Sequence, residues 1–214
     1  LRTYQALARE EQMELQSLNR IIVTQKLTMM VNRYIVTAPE ATVTDGRITG
    51  DGPVVAFAEQ KRMTFKEQVT VYTGQDKSQP LFAFKARQVM DLGATYDVTD
   101  PGGNPIGLFQ KAFKASLTRS TWNLEQPGIG TMVGQERNQG IAILRRIWGF
   151  IPIIGDVPVP FIFHFDFQLD GKPMMSVEKR WGFRDRYDVT IHEPALDRRL
   201  VIAMAVALDA LQSR

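Results

Sequence analysis

From residue 21 onward the chain is a succession of short runs of alternating apolar and polar positions, each closed by turn residues. IIVTQKLTMMVNRYIVTAP (21–39), PVVAFAEQKRM (53–63), EQVTVYTG (67–74), PLFAFKARQVM (80–90) and ATYDVTD (94–100) are rich in β-branched and aromatic residues. That composition predicts strands. In VTVYTG, Val69 and Val71 fall on one face and Thr70 and Tyr72 on the other. TDGRITGDGP, TDPGGNP, QPGIG and LDGKP supply the turns between runs. Many short strands punctuated this regularly predict a sandwich or a barrel.

The end of the chain breaks the alternation. Leu200–Leu208 is nine apolar residues in a row, bracketed by Asp197, Arg198, Arg199 and Asp209. A membrane span needs roughly 20 such residues, and nine residues of helix rise only about 13 Å. A helix apolar all round is otherwise a buried one. An all-β shell and one such helix satisfy each other if the helix, at about 197–212, threads a closed barrel, which also removes the sheet edges. A helix lying outside a sandwich would need a polar face, and this one has none. The fold expected is therefore mainly β (α+β), a closed antiparallel β-barrel enclosing a hydrophobic C-terminal α-helix.

Residues 21–214 form the expected barrel domain. Residues 1–20 read as a peripheral N-terminal helix or flexible tail anchored by Leu7, Leu15 and Leu18. Glu10, Glu11 and Glu14 and the lack of a long apolar run argue against a signal peptide there. VPVPFIFHFDF (157–167) is extended and apolar, with prolines suited to a lead-in loop or an edge strand. RNQGIAILRRIWGFIPIIGD (137–156) fits a strand pair or a short helix equally. FAEQKR (57–62), LFQKAFK (108–114) and SVEKRWG (176–182) form a weak repeat, read as similar hairpins with charged outer faces.

Composition changes this picture little. Of 214 residues, 44% are hydrophobic and 23% charged, enough for a sizeable core. There is no cysteine, which excludes disulfides and thiolate metal sites and favours a reducing, cytoplasmic setting. A net charge of +3 permits anionic partners without demanding them.

VTQKLTMMVNRYIV, YDVTDPGGNPIG, DGKPMMSVEKRWGFRDRYDVTI and LDRRLVIAMAVALDAL together resemble the LURP-one-related family of the tubby C-terminal-like superfamily, which also holds the phospholipid scramblases. The resemblance spans roughly residues 21–212 and is most specific in the last fifty. It implies a twelve-stranded antiparallel barrel around a central C-terminal helix. It also implies a link to phosphoinositides, from tubby domains, and to membranes and calcium, from scramblases. The segment corresponding to the scramblase calcium site is DRYDVTIHEP here. Asp185 and Asp188 are its aspartates, set among arginines, for a cation that takes six to eight oxygens, so a salt-bridged strand is expected rather than a calcium site.

Catalytic motifs are lacking. His164 and His192 have no metal-ligand spacing, and His192-Glu193-Pro194 is not a zincin helix. Ser116 and Ser120 sit in no nucleophile elbow. GIGTMVG (128–134) does not match the dinucleotide fingerprint and reads as a flexible turn. A barrel filled by its own helix leaves no interior pocket, so function belongs on the outside or at the rims.

The basic stretch from Pro105 to Phe150 supplies candidates for anionic-lipid binding: Lys111, Lys114, Arg119, Arg145 and Arg146, beside Phe113, Trp122 and Trp148. The expected protein is a non-enzymatic binding or scaffold domain that recognises anionic phospholipid head groups at a membrane surface. The alternatives are a protein–protein scaffold marked by an exposed apolar patch, or an enzyme with a rim active site. No cofactor, metal, nucleic acid or transmembrane helix is expected.

Overall fold

The computed structural model describes residues 14–27, 31–39, 43–44, 47–48, 52–61, 68–87, 94–112, 120–137, 164–180 and 185–212. The strands are β1 (Arg20–Leu27), β2 (Val31–Thr37), β3 (Val43–Thr44), β4 (Arg47–Ile48), β5 (Val54–Lys61), β6 (Val69–Tyr72) and β7 (Pro80–Ala86). They continue as β8 (Thr95–Thr99), β9 (Pro105–Lys111), β10 (Thr121–Gln126), β11 (Gly130–Glu136), β12 (His164–Leu169), β13 (Lys172–Arg180) and β14 (Arg186–Ile191). One helix, α1 (Arg198–Gln212), follows. β3 and β4 pair separately; the other strands close a barrel in the order β1-β14-β13-β12-β11-β10-β9-β8-β7-β6-β5-β2. Every pairing is antiparallel, and β2 pairs with β1 to complete the ring. Closure leaves the barrel itself no unpaired edge.

Alternation decides what faces in. On β6, Val69 and Val71 are buried while Thr70 and Tyr72 are half-exposed. Turn chemistry sets the register. Asp170 and Gly171 both have positive φ, 50° and 79°, the two-residue turn that suits the twist of a hairpin. The Asp100 carboxylate accepts from the backbone N–H and side-chain amide of Asn104.

Leu200–Leu208 fill the barrel, each at most 1% exposed. The Asp197 side chain caps α1 by accepting from the Arg199 N–H at 2.9 Å. Gln16, in a helical turn at residues 14–17, donates to Asp197 and accepts from the Arg198 N–H. The Arg198 guanidinium donates to the carbonyls of Leu18, Pro194 and Leu196. Leu15 joins the core at 3% exposure, so residues 14–18 are built into the barrel's end.

At the other end of the helix, the Asp209 carboxylate accepts hydrogen bonds from the Tyr34 and Tyr187 hydroxyls, on β2 and β14. Burial is the main reason its pKa is raised, and burial with Asp209 beside them raises both phenols. Two glycines make room inside. A Cβ on Gly107 would lie 2.4 Å from the Glu125 carbonyl oxygen and 2.8 Å from Leu200 Cδ2, and one on Gly134 would enter the Phe167 ring.

Two expectations change. His164–Leu169 is an interior strand, paired to β11 and β13, because closure makes every barrel strand interior. GIGTMVG is a turn only as far as Gly130; the rest is β11, whose Gly134 serves packing. Residues 138–156 of the stretch read as strand pair or short helix lie outside the described residues, as do 157–163 of the stretch read as lead-in loop or edge strand, and Ser116.

Candidate anion-binding face

Antiparallel pairing brings the ends of distant strands to one rim. β1, β9, β11 and β13 end at that rim and β2, β10, β12 and β14 start there. Side by side on β13, β14, β1 and β2, Arg180 pairs with Arg186, Arg186 with Thr24, and Lys26 with Arg33. All of these point outward, since they alternate with Val177, Tyr187, Val23 and Tyr34 of the core.

Asp188 organises this face. Its Oδ2 accepts from Arg20 at 3.0 Å and from Arg180 at 2.6 Å, and Arg186 lies 3.9 Å from its Oδ1. The Asp188 side chain is only 8% exposed, while the Arg20, Arg180 and Arg186 side chains are between 28% and 47% exposed. Two arginines directly opposite each other repel, and the buried carboxylate between the strands offsets that. Arg33 donates to Glu59 at 2.9 Å. Lys77, then Arg33, by hydrogen bonding hold the Glu59 carboxyl below its usual range. Lys26 is exposed. On the outer face of these four strands, Arg20, Lys26, Arg33, Arg180 and Arg186 face the carboxylates Glu178 and Asp188. Guanidinium forks have five N–H donors each, and those of Arg20, Arg180 and Arg186 converge on this one buried carboxylate.

The neighbouring face is balanced instead. Arg137 bridges Asp166 at 2.7 Å and Glu178 at 3.1 Å, which lowers the Asp166 pKa, Arg137 being the first cause, and raises that of Arg137. His164 is on the outward side of β12, opposite Phe165 as its alternation predicts. Asp185 is held by Lys179 at 2.8 Å. With Asp188 taken by arginines and Glu193 by Lys172 at 2.6 Å, all three carboxylates of DRYDVTIHEP are engaged by cations. Among the described residues no group of His, Asp and Glu is arranged to hold a metal ion, and no helix is long and apolar enough to cross a membrane.

Of the basic residues expected to bind lipid, Lys111 alone lies among the described residues; Lys114, Arg119, Arg145 and Arg146 lie outside them. Lys111 pairs across the ladder with buried Trp122 and shares the inward side of β9 with Phe109. Its Nζ sits 5.8 Å from the centroid of the Trp122 ring. Lys179 likewise stands on the inward side of β13, 5.6 Å over Tyr187. The charged outer faces expected of the repeat are thus inward faces at these two lysines. A rim position permits it, because the stem packs on the ring while the ammonium reaches the mouth.

The face on β13–β14–β1–β2 was missed by reading local charge density. Its residues come from positions 20–33, where three basic residues are spread over fourteen positions, and 180–188, where Asp185 and Asp188 offset three arginines. The signal available was parity: Lys26 and Arg33 fall on the polar positions of their strands.

A family model described as LURP-one-related matches residues 54–209. Comparison with curated proteins and with solved structures finds no match.

Proposed function

The chain belongs to the LURP-one-related family, and from that premise we propose that it is a binding module for anionic phospholipid head groups at a membrane surface. A closed barrel of this family is compatible with a non-enzymatic domain. Its core is filled by α1, so a ligand meets the exterior. The observation that carries the reading is the gathering of Arg180, Arg186, Lys26 and Arg33 at one rim, with Arg20 behind them. β9 and β11 end at this same rim and β10 and β12 begin there. Lys111 stands at its mouth.

Each lysine or arginine near an anionic surface contributes about 1 kcal/mol, screened by salt. Replacing Lys26, Arg33 and Arg186 together by glutamine is expected to weaken co-sedimentation with anionic vesicles by about 100-fold at low salt, which corresponds to roughly 3 kcal/mol. Replacing Lys111, Lys114, Arg119, Arg145 and Arg146 in a second variant reports the contribution of the basic stretch from Pro105 to Phe150. Equal retention of the parent protein on neutral and anionic vesicles refutes the proposal.

A further inference from the structure

The stagger of the strands leaves a notch in the barrel wall at the end opposite the cationic rim, where β5 and β7 begin. β5 pairs with β6 at Phe57–Tyr72 and Ala58–Val71, so Val54, Val55 and Ala56 extend past the end of β6. Val55, the extra residue of the bulge opposite Val36 and Thr37, has a register partner on neither β2 nor β6. Beyond Tyr72 the chain turns back on itself, the Thr73 N–H donating to the Gln79 carbonyl at 3.0 Å. β7 then opens with Pro80, which has no N–H. Lys77 in this turn bridges to Glu59 of β5 at 2.7 Å and pins the turn beside the overhang. Between the overhang, this turn and the helical turn at 14–17 lies a groove of about 510 Å³, within the range of ligand clefts. Leu15, Val55, Leu81 and three prolines give it apolar walls. Val54, on its lip, is 37% exposed. The charged side chains lining it, Glu14 and Asp76, are both acidic. Hydrogen bonds from Ser78 hold the Asp76 carboxyl below its usual range.

We propose that this groove takes a short extended peptide of a partner protein, alternately apolar and cationic, added beside Val54–Ala56 as an extra strand. In strand addition the main chain gives affinity and alternate side chains give specificity. The overhang of three residues is about 10 Å long, so it pairs with a guest segment of similar length, and the backbone of Val55 is open to it. Alternation gives such a guest one apolar face for Val55, Leu81 and the prolines, and one cationic face for Glu14 and Asp76. The same two carboxylates repel an anionic surface. The groove and the cationic rim therefore select partners of opposite charge at opposite ends of the barrel, and the inference stands whether or not the rim binds lipid.

The chain has no cysteine, so Gln79→Cys, at a half-exposed position lining the groove, allows disulfide capture of weak guests at this one place. Tethering raises their local concentration enough to register weak binding. The probes are a peptide of cysteine followed by Val-Lys-Val-Lys-Val, the same peptide with glutamate in place of lysine, and the lysine peptide N-methylated at its valines. Under reversible exchange, mass spectrometry is expected to show the lysine peptide captured about tenfold more than either of the others. Adding Glu14→Gln and Asp76→Asn should abolish the preference for lysine over glutamate, the asparagine keeping an acceptor for the Ser78 N–H. Val133→Cys, 42% exposed and flanked by Asn123 and Gln168 on the neighbouring strands, should capture all three peptides equally. Equal capture of the lysine and glutamate peptides at Gln79→Cys overturns the proposal, as does the same preference at Val133→Cys. Equal capture of the lysine peptide and its N-methylated form overturns strand addition, and the proposal with it.

Discussion

Gly107→Ala is the smallest change that tests whether the helix sits inside the barrel. The new methyl group would lie 2.4 Å from the Glu125 carbonyl oxygen and 2.8 Å from Leu200 Cδ2. The first neighbour is ladder backbone and cannot move without breaking the β9–β10 pairing; the second is the fully buried Leu200 side chain. Overpacking of this kind costs about 1–3 kcal/mol, and the backbone contact places the change at the upper end. For a chain of this size each kcal/mol lowers the melting temperature by about 2–4 °C, so a fall of roughly 6–12 °C is expected. Leu200→Ala alone should cost about 2–5 kcal/mol, because Leu200 is fully buried. The double variant relieves the Leu200 contact, so its loss should fall short of the sum by about 1 kcal/mol. Thermal and urea unfolding of the four proteins give the cycle. A Gly107→Ala protein within about 2 °C of the parent, or strictly additive losses, would refute the packing of α1 against β9.

Removing residues 198–214 empties the barrel of Leu200–Leu208, and the remaining chain is expected to be insoluble or molten, since domains are stable by only about 5–15 kcal/mol. A cooperative melt near the parent midpoint would contradict this. Asp209 carries a pH dependence: burial raises its folded pKa above 3.8, so its contribution to stability is full below that value and is lost as pH rises through the folded pKa. Asp209→Asn removes that loss, so the melting temperature of the variant relative to the parent should climb as pH rises above about 4; a difference independent of pH would refute the assignment.

The nine-residue apolar run from Leu200 and the alternation of the strands were sufficient to read a barrel around a helix, because burial on all sides and burial on one side leave different periodicities in a sequence. The Asp170-Gly171 turn was equally legible, since its chemistry is local. Which faces of the barrel gather charge was not legible. Lys111 belongs to the most basic stretch of the chain, yet register with Trp122 turns it inward. Arg20 and Arg180 lie 160 positions apart in the sequence, yet both reach Asp188. Closure of β14 onto β1 decides that meeting, and strand pairing between distant segments leaves no mark in either segment alone. The same holds for Ile22, Ile35 and Phe57, ordinary alternating residues by sequence. Only the register of three strands, beside the interior Ile21, Tyr34 and Ala56, shows that they face outward.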